Sequence, residues 1–311
     1  MLYGSFPFFI NDPTLRLLIT LISALFLLYA FIGGQFPISF QYALVFILVG
    51  VVGMAHGSID HIIASDVLKI VPPNRKRLFI FFYLLIIGLY IVLWVVSPLI
   101  SFILFLLYSA YHFGQADTAI IGSKLSKTTR TLLGLSCGVL LLSSILYFNH
   151  DYTLNYSPDW FLEILPPTIL SRISKYLFYS SLMLLILQIT FHFVKGKIAS
   201  IETSLFMVQL VFVLLLFKLL PPLVAFSLYF GLWHSLIVLK KEFQEVRNIG
   251  LIVNLKAFLK ALFPFTFISL LGLLLIVYLG AASAHFTTLV AISVLAFPHT
   301  LLMHVLYSRA E

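Results

Sequence analysis

Charge is what this sequence has least of. Only 10% of its 311 residues are Asp, Glu, Lys or Arg, against about 25% in a soluble domain. That is too little to clothe a water-facing surface. Cysteine is nearly missing as well. The single Cys137 lies inside an apolar block, which excludes a disulfide framework and a cysteine-based metal site. No low-complexity stretch, no internal repeat of 20–50 residues and no polar segment marks off a second domain, so residues 1–311 read as a single integral-membrane domain. Alternating patterns of about ten residues are also lacking, which argues against a membrane β-barrel.

What fills the chain is apolar. Hydrophobic residues make up 61% of it, and apolar runs of about 18 or more residues recur from end to end. A secretory signal would give one such run near the start. The pattern is that of an all-α, polytopic transmembrane helix bundle of about ten helices. They are expected near 14–34, 39–62, 77–97, 98–118, 129–148, 174–194, 202–219, 221–242, 257–280 and 286–307. "GGQFP", "VPPNRKR" and "KLLPP" carry the turn chemistry that separates three of the pairs. Pro98 opens the fourth helix, where its missing N–H costs nothing. The connection 149–173 is the longest, with room for a short interfacial helix at "DWFLEIL".

The formal net charge of +8 does not point to nucleic acid, because the basic residues sit between the apolar blocks rather than on one face. They set topology. With ten helices, 16 of the 19 Lys and Arg fall on one side, leaving Arg172, Lys175 and Lys218 on the other. The excess marks the cytoplasmic side, so both termini are expected there, in the inner membrane of a bacterium.

Nine histidines are present. His150 and His285 belong to the outer interface, and His192 to the solvated inner end of the sixth helix. Four others are ordered. His56, His112, His234 and His299 lie on four helices that run in the same direction, about 17, 14, 13 and 13 residues from their expected starts. At 1.5 Å per residue their depths agree within about 6 Å. Buried polar groups without partners are costly in hydrocarbon, and intramembrane ionisable residues mark functional sites. A lone membrane histidine reads as a helix–helix hydrogen-bond partner, but four in one layer share a natural partner in a metal ion. Imidazole suits Fe, Zn, Cu and Ni. A proton relay through His and Asp stays open as an alternative.

"VVGMAHGSIDH" (51–61) adds Asp60 and His61 to His56. On a straight helix Asp60, at i+4, shares nearly the face of His56 and suits the second N–H of a metal-bound imidazole. Asp117 suits another ligand in the same way. Each aspartate also reads as a solvated helix end or a partner of a nearby cation. His61 and His304 follow layer histidines by five residues, a rotation of about 140°, which makes them poorer co-ligands of the same ion.

The layer residues sit in the words "AHGSIDH" (55–61), "YHFGQAD" (111–117), "WHS" (233–235) and "FPHTLLMH" (297–304). In this order and spacing they resemble the Brp/Blh family of membrane-integral bacterial β-carotene 15,15′-dioxygenases, over residues 51–304. The resemblance implies a non-haem iron, Fe2+, held by histidines. It implies central cleavage of β-carotene with O2 to two retinal, which then serve a microbial rhodopsin. By motif, His56, His112 and His234 become iron ligands. Some members read "HSxRH", with the second histidine as a fourth ligand; here that position is Val238, so His299 is taken instead, with His61 and His304 behind it.

Such a site would receive β-carotene laterally from membrane lipid. The aromatic content of 16%, with 31 Phe, suits an apolar tunnel, although rings of this kind also serve ordinary packing. Tyr108 and Tyr111 flank His112 and can donate hydrogen bonds to oxygen, or simply pack. Three rivals remain. A two-iron desaturase would show clustered HxxxH and HxxHH words, which are missing. A haem- or other metal-binding redox protein would pair histidines axially. A proton-coupled transporter would show repeats or broken helices at the midplane.

Overall fold

The computed structural model describes residues 13–121, 125–279 and 284–309. Lys124 and the side chain of His285 lie outside the described residues. All regular structure is helical, with no strand among the described residues. The elements are α1 (Pro13–Phe31), α2 (Ile38–Leu44), α3 (Asp60–Ile62), α4 (Lys76–Val96), α5 (Pro98–Thr118), α6 (Lys127–Phe148), α7 (His150–Tyr156), α8 (Asp159–Ile164), α9 (Pro167–Val194), α10 (Ser200–Leu219), α11 (Pro222–Ser227), α12 (Ile237–Asn248), α13 (Leu255–Leu279) and α14 (Ala284–Arg309). A π-helical stretch, Val45–Gly53, continues α2, another, Ile63–Val67, continues α3, and a third, Leu228–Leu236, joins α11 to α12.

Nine helices among the described residues are long and apolar enough to cross a membrane. The tenth expected span, 39–62, is divided: a shorter apolar helix runs from Ile38 to Gly53, and the chain then turns through 56–59 before α3. The long connection is also shorter than expected. It holds two helices, α7 and α8, and α9 begins at Pro167, seven residues before the expected start. Pro166 and Pro167 open α9 as proline does elsewhere, by fixing φ at the first helical turn.

Small residues bring α5 and α6 together. Ala110 and Gly114 on α5 face Gly134 and Gly138 on α6, each pair spaced by four. A Cβ on Gly114 would collide with the backbone carbonyl of Gly134, and one on Gly138 with that of Ala110. Helices in lipid associate through such close van der Waals packing rather than through the hydrophobic effect. A second close approach joins the two longer π segments, where a Cβ on Gly231 would come within 2.7 Å of Leu48 and one on Gly53 would collide with the ring of Phe230.

The buried apolar residues form three clusters. One gathers α6, α9, α10 and Tyr229–Trp233; a second gathers Ala55, Ile59, Ile63, Val246, Leu302 and Met303; a third gathers Tyr90, Trp94, Phe102 and Phe161. Chain neighbours of the four ordered histidines belong to all three: Phe113 and Trp233 to the first, Ala55 and Leu302 to the second, Phe297 to the edge of the third. The histidines therefore sit where the clusters meet. His192, expected to be solvated, is 8% exposed and lies against Phe191.

Candidate metal centre

Three of the four histidines are aimed by a local departure from regular helix, while His112 projects from the regular helix α5. The π stretch ends at Gly53, and tight turns follow, with the Ser58 N–H on the Ala55 carbonyl and the Asp60 N–H on that of Gly57. The loosened carbonyl of Gly53 accepts from His56 Nδ1. A carbonyl can only accept, so the proton is on Nδ1 and the lone pair is on Nε2. His234 lies within the third π segment; π turns insert a residue into a helix, re-aim its side chains and concentrate at functional sites. His299 follows Pro298, inside α14. Around it, α14 is clamped through Ser293, whose carbonyl accepts from Tyr108 at 2.6 Å and whose hydroxyl accepts from Trp94 Nε1 at 2.9 Å.

The four rings converge. His56, His112 and His299 each offer a nitrogen, and these lie within 4.8 Å of one another. His234 Nε2 stands 3.1 Å from His112 Nε2. Ring centroids are 4.5 Å apart for His56 and His299, 4.9 Å for His112 and His234, and 5.4 Å for His56 and His234. All four are at most 6% exposed.

His299 Nδ1 meets both oxygens of Asp60, at 2.9 and 3.1 Å, and Tyr83 donates to Asp60 at 2.9 Å. That fixes the His299 lone pair on Nε2. Both His299 Nε2 and His56 Nε2 are buried without a hydrogen-bond partner among the described residues. Orphaned buried acceptors of this kind are rare in native structures. Here they point into one space, and a cation there would satisfy them. Two nitrogens on one ion at about 2.1 Å each stand about 3.0 to 3.4 Å apart, which the His112–His234 separation matches. The carboxylate–histidine arrangement of Asp60 and His299 is the usual outer support of a metal ligand. The donor set therefore fits a transition-metal ion.

The same histidines form part of a cavity wall. His56, His112 and His299 line a cavity of about 310 Å³. Phe102, Phe105, Leu106 and Ser109 carry it along α5, roughly 15 Å from His112 at the helical rise. At its far end it meets Tyr152 and Thr153 of α7, Phe226 of α11 and Phe286 of α14. The lining is overwhelmingly apolar, and among the described residues it includes no Asp, Glu or Cys beside the histidines.

The family model for beta-carotene 15,15′-dioxygenase matches residues 47–307. The chain belongs to this family. No curated protein and no solved structure matches it. The matched span of the beta-carotene 15,15′-dioxygenase family contains all four converging histidines, Asp60 and nearly the whole cavity wall. Among the described elements, α1, α2 and the first two residues of the π stretch Val45–Gly53 precede it.

The remaining residues singled out in the sequence fall elsewhere. Asp60 supports His299 rather than His56, because the turn at 56–59 carries it off the face it would share with His56 on an unbroken helix. Asp117 supports no histidine. It accepts from Tyr229 at 2.8 Å and Gln209 at 3.5 Å, and Gln209 in turn accepts from Arg16 at 2.5 Å, a buried network tying α1 and α10 to α5. His61 packs on Phe265, with ring centroids 4.6 Å apart. His304 Nδ1 meets Tyr111 Oη at 2.6 Å, and Gln115 donates to the same hydroxyl at 2.6 Å. That group lies one helical turn and more from the histidine ring. Tyr108 does line the cavity, but its hydroxyl proton is committed to the Ser293 carbonyl. Val238 is buried and apolar, as its type requires. Tyr83 was not signalled: it occupies an ordinary apolar helix, and only the fold brings it to Asp60.

Proposed function

We propose that this member of the beta-carotene 15,15′-dioxygenase family uses one Fe2+ and O2 to cleave the central double bond of β-carotene. One C=C bond breaks and two C=O bonds form, so one O2 and one carotene give two retinal with no proton or electron left over. The observation that carries this reading is the set of orphaned imidazole nitrogens converging in the wall of a long apolar cavity. Iron, when bound, supplies the electronic means of activating O2 that no amino-acid side chain offers.

The chain's own residues do the rest. His56, His112, His234 and His299 would hold the ion. Gly53 and Asp60 keep the His56 and His299 rings turned inward, and Tyr83 keeps Asp60 in place. The aromatic and aliphatic wall from Phe102 to Ser109 would grip a polyene, set its reacting bond beside the histidines and keep water out. Convergence of three nitrogens within 4.8 Å favours a single ion over haem, whose axial ligands face each other across a macrocycle. The retinal would pass to a rhodopsin in the same bacterial inner membrane.

The test is production of the protein in a carotene-accumulating bacterium, with retinoids separated by chromatography and iron measured on the purified protein. Retinal is expected, with about one iron per chain. His56→Ala, His112→Ala, His234→Ala and His299→Ala should each lose both, while His150→Ala keeps both. Folded, iron-loaded protein that makes no retinal would sink the cleavage reading. Full activity in His299→Ala would reduce the site to three histidines.

A further inference from the structure

Among the described residues three carboxyls are buried inside the bundle: Asp60, Asp117 and Glu242. Asp117 is matched by Arg16 through Gln209. Asp60 is held by His299 and Tyr83. Glu242 is different. It is 3% exposed, and neither of its carboxyl oxygens has a hydrogen-bond partner among the described residues. The adjacent Lys241 divides its electrostatic attraction between Glu245 and Glu242, with Glu245 the stronger partner. An acid in this condition in a membrane-spanning helix is costly unless something offsets it.

Its position suggests what does. Glu242 lies on the same continuous helix as His234, eight residues on, or about 12 Å at the helical rise. Val238, Glu242 and Val246 repeat every four residues and are all buried. Val246 packs in the cluster with Ile59, Ile63, Leu302 and Met303, the segments that follow His56 and His299. Glu242 therefore lies on the buried face of its helix, one turn from the contact of Val246 with those segments, and near enough to Asp60 for the two carboxyls to repel when both are charged and no cation lies between them. It is too far away to be a ligand.

Four neutral imidazoles leave a divalent ion with both of its charges in a low-dielectric interior. Asp60 offsets one. We propose that Glu242 supplies the second negative charge, as a positioning residue that makes the loaded centre electroneutral. The proposal rests on the metal-centre reading above. Coulomb's law, with an effective dielectric of about 20 and the 12 Å rise, gives an effect on ion affinity of about ten- to a hundredfold.

The experiment uses the full chain in detergent, stripped by chelation and titrated with Co2+ against a competing chelator. The wild type should bind one Co2+ with ligand-field absorption. Glu242→Gln keeps shape and removes charge. It should bind about ten- to a hundredfold more weakly with the same absorption bands, and its metal-free thermal midpoint should not fall. Glu242→Asp should recover most of the affinity. Equal affinity in wild type and Glu242→Gln would overturn the charge role while leaving the metal centre standing. A lowered metal-free midpoint in Glu242→Gln, or no recovery in Glu242→Asp, would make Glu242 structural and overturn the proposal. No ion in the wild type would overturn both readings.

Discussion

Asp60 meets His299 through both carboxylate oxygens and is itself held by Tyr83, so it fixes which nitrogen of His299 is free and where that nitrogen points. Asp60→Asn preserves the shape but removes the charge and offers a donor where an acceptor is needed. The expected outcome is a loss of about 10–100-fold in metal affinity, read by chelator competition, with Tyr83→Phe giving a smaller loss in the same direction. Unchanged affinity in Asp60→Asn would mean that the contact does not support a ligand. At this scale the sequence was informative about depth and misleading about direction. Residue counts along four helices placed His56, His112, His234 and His299 in one layer, since the π turns change the length of each segment by only a few ångströms over about fifteen residues. The i+4 rule then assigned Asp60 to His56, and it failed because it assumes an unbroken helix. Nothing in "AHGSIDH" announces the turn at 56–59, or that Asp60 reaches a ring 239 positions away. Asp117 misled in the same way: its partners, Tyr229 in the third π stretch and Gln209 in α10, sit in apolar runs that give no sign of them.

Between helices, the spacing of small residues decides the packing. Ala110 and Gly114 on α5 interlock with Gly134 and Gly138 on α6, and α5 carries His112 two residues before Gly114. Gly138→Val would drive a branched side chain into the Ala110 carbonyl. Overpacking costs about 1–3 kcal/mol where neighbours can yield, and helical backbone yields little. A large fall in folded yield and thermal midpoint is expected, with loss of bound metal as His112 is displaced. Gly272→Ala is the control: nothing lies within 4 Å of the added Cβ, and alanine is the better helix former, so its midpoint should stay level or rise. A tolerated Gly138→Val would refute this account of the α5–α6 contact. The long apolar helices were legible from length and composition. The π stretches at Val45–Gly53 and Leu228–Leu236 were not, because they keep the same apolar composition and change only the hydrogen-bond register. One lies in the divided second span and the other carries His234, and the two stretches meet closely at Gly53 and Gly231.

At the scale of the molecule the reading depends on a direction through the membrane. The cavity runs from the histidines along α5 toward α7, so orientation decides which leaflet lies nearer the centre. On the topology expected from the sequence, the split of 16 Lys and Arg against 3 would put 195–197 in the cytoplasm and 149–166 on the other side. Dividing the second span does not alter that assignment, provided that Ile38–Gly53 and the turn after it together still cross the bilayer. Helix α9 spans 28 residues, about 42 Å of rise. That is enough to cross a hydrocarbon core of about 30 Å, and a crossing would put its two ends on opposite sides. The native thiol does not interfere, because Cys137 is buried. Lys197→Cys, just past the end of α9, and Asp151→Cys, in α7 before its start, both replace exposed residues. A membrane-impermeant thiol reagent on intact cells should label Asp151→Cys and spare Lys197→Cys until the membrane is opened. The reverse pattern would invert the bundle and place the histidine layer in the outer half of the bilayer. Labelling of both in intact cells would mean that α9 does not cross, and the ten-span topology behind the matched depths would fall with it.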